Sequence, residues 1–167
     1  MKTPRLEIYP QRITSNARSV IALCRAHGAQ VACVSKVTAA HPAVLRALKA
    51  GGADFLADSR LENLESIARE KLGLPAPSQA AQVVRLADCS LNSSLETVAA
   101  LSHAARQAGV RHQVMMMIDV GDLREGIWPD HAPQVLRAAR DLPNIDIIGL
   151  GCNLACYGGV IPSEDNM

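Results

Sequence analysis

From Val31 to Thr38 the chain reads VACVSKVT, which places Lys36 at the carboxyl end of a short apolar run that reads as a buried strand. Lysine is almost never buried without a reason. A desolvated amine has a lowered pKa, so part of it is neutral and nucleophilic near neutral pH, as condensation with an aldehyde requires. The competing account is that Lys36 leaves the strand and carries its ammonium to water. Other polar residues stand at the ends of later apolar runs: Asp58, Ser59, Arg60 and Asn63; Asn92 and Ser93; Asp119, Asp122 and Arg124; Asn153, Cys156 and Tyr157. In proteins built from parallel strands, ligands collect at the strands' carboxyl ends. Asp58 and Ser59 also read as helix caps, Asn92 and Ser93 as a cap and turn, and Arg124 as one half of a surface ion pair.

The elements that would position these groups alternate. Residues 11–27 carry Ile13, Ala17, Val20, Ile21 and Cys24 at helical spacing, and Gly28 stops that helix. A strand is expected at 31–35, and a helix from His41-Pro42 to Gly51-Gly52. A strand at 53–57 is followed by a helix with Leu61, Leu64, Ile67 and Ala68. A strand at 88–91 precedes a helix at 95–108, capped by Ser93 or Ser94 and ended by Gly109. Residues 112–120 form the clearest strand, a continuous apolar run of the kind that both faces of a parallel sheet bury. A helix near 131–140 leads to a strand at 145–150. Strands separated by helices predict βα units and a parallel sheet, roughly five units by periodicity. Between Leu64 and Asp88 only Lys71–Leu74 is available for a strand, followed by two prolines, so that strand is expected to be short or absent.

Composition bounds what such a sheet can do. The chain has 167 residues, 49% hydrophobic and 20% charged, with a net charge of +1, which fits one globular domain. No basic stripe is present and aromatic residues are 2%, which argues against nucleic acid as a partner and predicts an aliphatic core. Met115, Met116 and Met117 read as core filler. No stretch reaches 18 apolar residues and the N-terminus has no apolar leader segment, so the expectation is a cytoplasmic protein without membrane contact. Five cysteines at irregular spacing, Cys24, Cys33, Cys89, Cys152 and Cys156, predict reduced thiols and no metal site. Cys152 and Cys156 as a pair of catalytic thiols find no support near them; inert buried thiols fit better.

Five segments, taken together and in order, carry a resemblance: VSKV at Lys36, GGADFLADSRLENL from Gly51, ADCSLNSSLET from Ala87, IDVGDLREGI from Ile118 and IGLGCNLACYGG from Ile148. They resemble the alanine/ornithine racemase family, whose members use pyridoxal 5'-phosphate on a barrel of the alanine racemase N-terminal type. The resemblance implies an α/β fold, an incomplete parallel (β/α) barrel, with residues 1–167 as the N-terminal part and the remaining strands and C-terminal region absent. A complete eight-stranded barrel needs about 250 residues. It also implies an amino-acid racemase of the ornithine/alanine type, acting on a small amino-acid substrate through a Schiff base on Lys36. Arg124 would lie near the cofactor's phenolic oxygen and orient the ring. Asn153 would face the ring, and Asn92 would join the cofactor-binding set, with Arg60 as a supporting or substrate contact. Racemisation needs acid/base groups on both faces of the planar carbanion. Lys36 serves one; Tyr157 and Cys156 are candidates for the other, beside the missing half of the barrel. The alternatives are a non-catalytic pyridoxal-phosphate-binding protein and an inactive fragment. Unclosed sheet edges would favour a homodimer.

Overall fold

The computed structural model describes residues 3–67, 71–73, 76–154 and 159–166. The chain forms two compact units, Met1–Leu72 and Gly73–Met167.

In the first unit, helix α1 (Pro10–Ala26) opens with proline at its first turn, where the missing N–H costs nothing, and ends before Gly28 at φ +76°. Strand β1 (Ala32–Val34), helix α2 (Pro42–Ala50), strand β2 (Phe55–Asp58) and the short helix α3 (Leu61–Glu65) follow. β1 and β2 pair in parallel with Cys33 opposite Leu56. α1 and α2 approach closely at Gly51, where an added Cβ would lie 2.6 Å from Ala17 Cβ. Thr14 Oγ1 donates to Ala47 O at 3.1 Å across the same contact. Arg25 ties α1 to the strand layer through Gly52 O and the Asp54 carboxylate, whose other oxygen accepts the Val31 N–H at 2.9 Å. These bonds, the Arg25 guanidinium first, hold the Asp54 carboxyl below its ordinary range. Ile21, Leu45, Leu56, Leu64 and Ile67 are buried.

β1 differs from the buried strand expected there. Cys33 is half-buried on the side of α1, while Ala32 and Val34 on the opposite face are exposed, Val34 by 53%. Helices cover one face only, so the apolar run is one-sided despite its composition.

The second unit repeats the alternation with better-defined strands. Strand β3 (Lys71–Gly73), at the division between the units, is three residues long, as the two following prolines require. Helix α4 (Ala80–Leu86), strand β4 (Cys89–Asn92), helix α5 (Leu95–Ala108), strand β5 (His112–Ile118), helix α6 (Ala132–Arg140) and strand β6 (Ile145–Cys152) follow. β4, β5 and β6 are parallel, with Asn92 opposite Met116 and Ile118 opposite Cys152. The β5–β6 register slips between Val114 and Met115. Ser94 caps α5, its hydroxyl accepting the Thr97 N–H at 3.2 Å, and Gly109 ends it at φ +67°. Val83, Val98, Leu101, Val114, Met116 and Met117 form an aliphatic and thioether core, as the shortage of aromatic residues demands.

The tight α1–α2 contact generates a prediction. Gly51→Ala should destabilise the protein by about 1–3 kcal/mol through overpacking, read as a lower urea midpoint with an unchanged slope. Gly28→Ala meets open space and costs only the backbone term.

Candidate functional site

Lys36 follows β1 in a short 3-10 turn, Lys36–Thr38, and its side chain is exposed. Among the described residues no carboxylate pairs with it. The expected desolvation of this amine is therefore not supplied by its own unit. What the unit supplies is anchorage. Ser35 is 1% exposed; its Oγ donates to Asp58 Oδ2 at 2.6 Å and its N–H donates to Ala57 O at 2.9 Å. Asp58 Oδ1 accepts from the Arg60 N–H at 2.9 Å and from Asn63 Nδ2 at 3.0 Å. A carboxylate 3% exposed thus has three donors and joins the ends of β1 and β2 to the start of α3. Asp58 is more than the expected helix cap: Arg60 occupies the capping position of α3, with an extended backbone and no side-chain cap bond. Just past Lys36, Ala39 and Ala40 both adopt positive φ, 48° and 51°. Two successive alanines in this region store backbone strain, a feature that clusters at functional sites.

In the second unit, residues 119–126 fold back on the end of β5. Asp119 Oδ1 accepts the N–H groups of Gly121 at 2.9 Å and Leu123 at 3.1 Å. Ile127 N donates to Met117 O at 2.8 Å, and Asp119 N donates to Ile127 O at 3.0 Å. Gly126, at φ +123°, has no room for a side chain, since a Cβ would sit 2.3 Å from Asp119 N. Leu123 is held at φ +53° immediately before Arg124. The loop presents Arg124 to solvent, and no described carboxylate pairs with it. The surface ion pair is therefore not what Arg124 makes here. Asp122 is half-buried and its Oδ2 is buried without a partner among the described residues. Asn153, just past β6, donates from Nδ2 to Glu125 Oε1 at 3.0 Å. The structure thus joins Asn153 to the loop that carries Arg124. An open cavity of about 650 Å³ lined by Ile118, Asp119, Trp128, Leu150 and Cys152 lies at the same strand ends, but neither Arg124 nor Asn153 lines it.

Asn92 stands apart from that pair. It is 2% exposed, and its Nδ2 donates to Ser90 O at 2.9 Å and Ser90 Oγ at 3.0 Å. Ser90 Oγ lies 2.9 Å from His112 Nε2. Ser90 Oγ thus sits between the Asn92 amide and the buried imidazole, and the hydroxyl can donate to Nε2 or accept from it according to the imidazole tautomer. Asn92 Oδ1 has no partner among the described residues. Burial pushes the His112 pKa down, with Asp88 opposing in part. Cys33 and Cys89 are raised by burial first, Cys89 to about 11, and Cys24, Cys33, Cys89 and Cys152 are unpaired. Cys156 and Tyr157 lie outside the described residues. Among the described residues, no group of three or more His, Cys, Asp or Glu could hold a metal ion, and no helix is long and apolar enough to cross a membrane.

Sequence reasoning missed Glu125, Ser35 and the Ser90–His112 pair. Glu125 stood inside the quoted IDVGDLREGI segment without a role; the others carry no spacing signal, because their partners lie 22 or 23 residues away.

Residues 8–166 match the family described as alanine racemase, N-terminal domain. The chain belongs to this family. It is 36% identical over 170 residues to an ornithine racemase from Acetoanaerobium sticklandii, covering 98% of this chain and 48% of that protein. It is 31% identical over 172 residues to a lysine racemase from Thermotoga maritima, covering 99% of this chain and 48% of that protein. The chain therefore spans about half the length of the curated relatives it matches. An alanine racemase structure from a Streptomyces lavendulae that produces D-cycloserine superposes with a TM-score of 0.78 at 24% identity, over 93% of this chain and 44% of that one. The enzyme from Corynebacterium glutamicum gives 0.74 at 23% identity, over 88% and 44%. At these identities the likeness shows the fold: α/β, the parallel strands and helices of part of a (β/α) barrel of the alanine racemase N-terminal type.

Two predictions come from the buried polar groups. Asp58→Ala leaves Ser35 Oγ and Asn63 Nδ2 without their acceptor and should destabilise the protein by about 3 kcal/mol or more, measured by urea unfolding. His112 is an imidazole whose folded pKa lies below the ordinary 6.5, so the unfolded chain binds more protons in the window between the two values. Its contribution is complete above 6.5 and is lost as pH falls toward the folded value, by about 1.4 kcal/mol per unit of depression. His112→Leu should be less stable at pH 7 and show a shallower loss of stability between pH 7 and 5.

Proposed function

We propose that this chain is the lysine-bearing part of a pyridoxal-phosphate-dependent amino-acid racemase. The observation that carries the reading is the exposed amine of Lys36, with no carboxylate paired to it among the described residues, placed directly after β1 by the buried Ser35–Asp58 bond, in a chain of this family. The residue chemistry fits the cofactor in each unit taken by itself. Lys36 offers a primary amine and Arg124 a guanidinium with no carboxylate partner among the described residues, while Asn153 offers an amide whose donor side is already engaged. When bound, pyridoxal phosphate supplies an aldehyde carbon and a conjugated ring that takes up electron density from the α-carbon.

The protein's part is to hold, orient and move protons. Lys36 Nζ would be the attachment point for the cofactor and the group that takes a proton from, or returns it to, one face of the substrate α-carbon. Arg124 would offer guanidinium N–H donors to the ring's phenolic oxygen and so orient that edge of the ring. Asn153, its Nδ2 donating to Glu125, would have its amide oxygen left to face the ring. Asn92, closed to solvent, supports the end of β4 through Ser90 and so acts at one remove. Similarity to an ornithine racemase and a lysine racemase puts a diamino acid, ornithine or lysine, ahead of alanine as substrate.

The test is α-proton exchange. The chain saturated with pyridoxal phosphate is incubated with L-ornithine, L-lysine or L-alanine in deuterium oxide, and loss of the α-proton signal is followed by NMR. Exchange that falls by about 100-fold or more in Lys36→Ala is expected. Equal exchange in Lys36→Ala contradicts the role of Lys36. Cofactor binding without any exchange assigns the chain to the non-catalytic, cofactor-binding alternative.

A further inference from the structure

Glu125 belongs to the IDVGDLREGI segment and has no task in the proposed function, yet it makes the one described side-chain bond between that loop and β6's carboxyl end. Its Oε1 accepts the Asn153 Nδ2–H at 3.0 Å in a part-buried setting. An ionised carboxylate can only accept, whereas a side-chain amide has one donating and one accepting end. The contact therefore decides which way the Asn153 amide points: Nδ2 toward Glu125, Oδ1 away from it. No described residue donates to that oxygen. We propose that Glu125 is the positioning residue for Asn153, holding its amide so that Oδ1 is the acceptor offered to a bound ligand.

The backbone makes this orientation stiff. Glu125 lies between Leu123, strained at φ +53°, and Gly126, where a Cβ would meet Asp119 N at 2.3 Å. Asp119 Oδ1 holds two N–H groups of the same loop. A loop so constrained has few ways to let Glu125 swing aside. A charge-assisted bond of this kind is also about twice as strong as a neutral one, so the reversed amide, with Oδ1 facing a carboxylate, is strongly disfavoured.

The inference rests on the cofactor reading for the identity of the ligand, but its geometric part is testable without any ligand. The Nδ2 protons of Asn153 are identified in NMR spectra by their loss in Asn153→Ala, and their exchange with solvent is compared with that of the exposed Asn16. Slow exchange in the wild type, rising to the Asn16 rate in Glu125→Leu, is expected. In Glu125→Gln, which keeps the packing but no longer dictates the amide's direction, exchange faster than the wild type is expected; a packing role leaves it at the wild-type rate. Should Glu125→Leu fail to fold, Glu125→Gln carries the test alone. Pyridoxal phosphate is then titrated spectrophotometrically. Glu125→Leu should weaken binding by about tenfold or more, and the loss should vanish in an Asn153→Ala background. An equal loss in both backgrounds overturns the proposal, as does unchanged amide exchange in the Glu125 variants. Absence of cofactor binding to the wild type refutes the cofactor reading instead, and the exchange data alone then decide for or against positioning by Glu125.

Discussion

A buried carboxylate with both its oxygens bonded to neighbouring elements is the constraint on which the first unit's chemistry depends. An ionised group taken out of water is costly unless it is hydrogen-bonded. Asp58 meets that requirement by gathering Ser35 from the end of β1, Asn63 from α3 and the Arg60 N–H between them. The consequence falls on the next residue in the chain. Lys36 emerges from a backbone whose position is determined by a bond 23 residues distant in sequence, and two strained alanines turn the chain away behind it. A flexible lysine on a fixed root is suited to a side chain that must reach, hold and release a partner.

The second unit uses the same device at a different strand end. There a carboxylate is spent on backbone N–H groups: Asp119 organises its own loop, and Gly126 allows the backbone to fold against it. A second carboxylate, Glu125, reaches β6's end through Asn153. Lys36 and Arg124 are exposed and no described carboxylate pairs with either, whereas Ser35 and Asp58 are buried and bonded and Asn153 is held by Glu125. That division separates anchoring from reacting groups, and it accounts for the strained φ values at Leu123, Ala39 and Ala40.

Much of this architecture is legible in the sequence because it is local. The stop at Gly28, the cap at Ser94, the end at Gly109 and the apolar run of β5 are read from neighbouring residues, and each lies within a residue or two of its expected place. The short β3 follows from two prolines. Burial of β1 was misread because periodicity says which residues are apolar, and not whether a layer covers them: Val34 remains exposed on the face the helices leave open. Ser35, His112 and Glu125 escaped for another reason. Their partners are 22 to 28 residues away, so no spacing rule pairs them. The candidate positions themselves, Lys36, Arg124 and Asn153, came from order and resemblance along the chain, whereas the groups that hold them came only from coordinates.

The central claim is that Lys36, anchored through Ser35 and Asp58, is the residue that takes the cofactor. The most direct measurement is reduction with borohydride after incubation with pyridoxal phosphate, followed by digestion and mass spectrometry of every lysine, Lys2, Lys36, Lys49 and Lys71. The account predicts a pyridoxyl label concentrated on Lys36, and markedly reduced there when Asp58→Asn weakens the anchor. A label shared evenly among the lysines, or absent from Lys36, would contradict it.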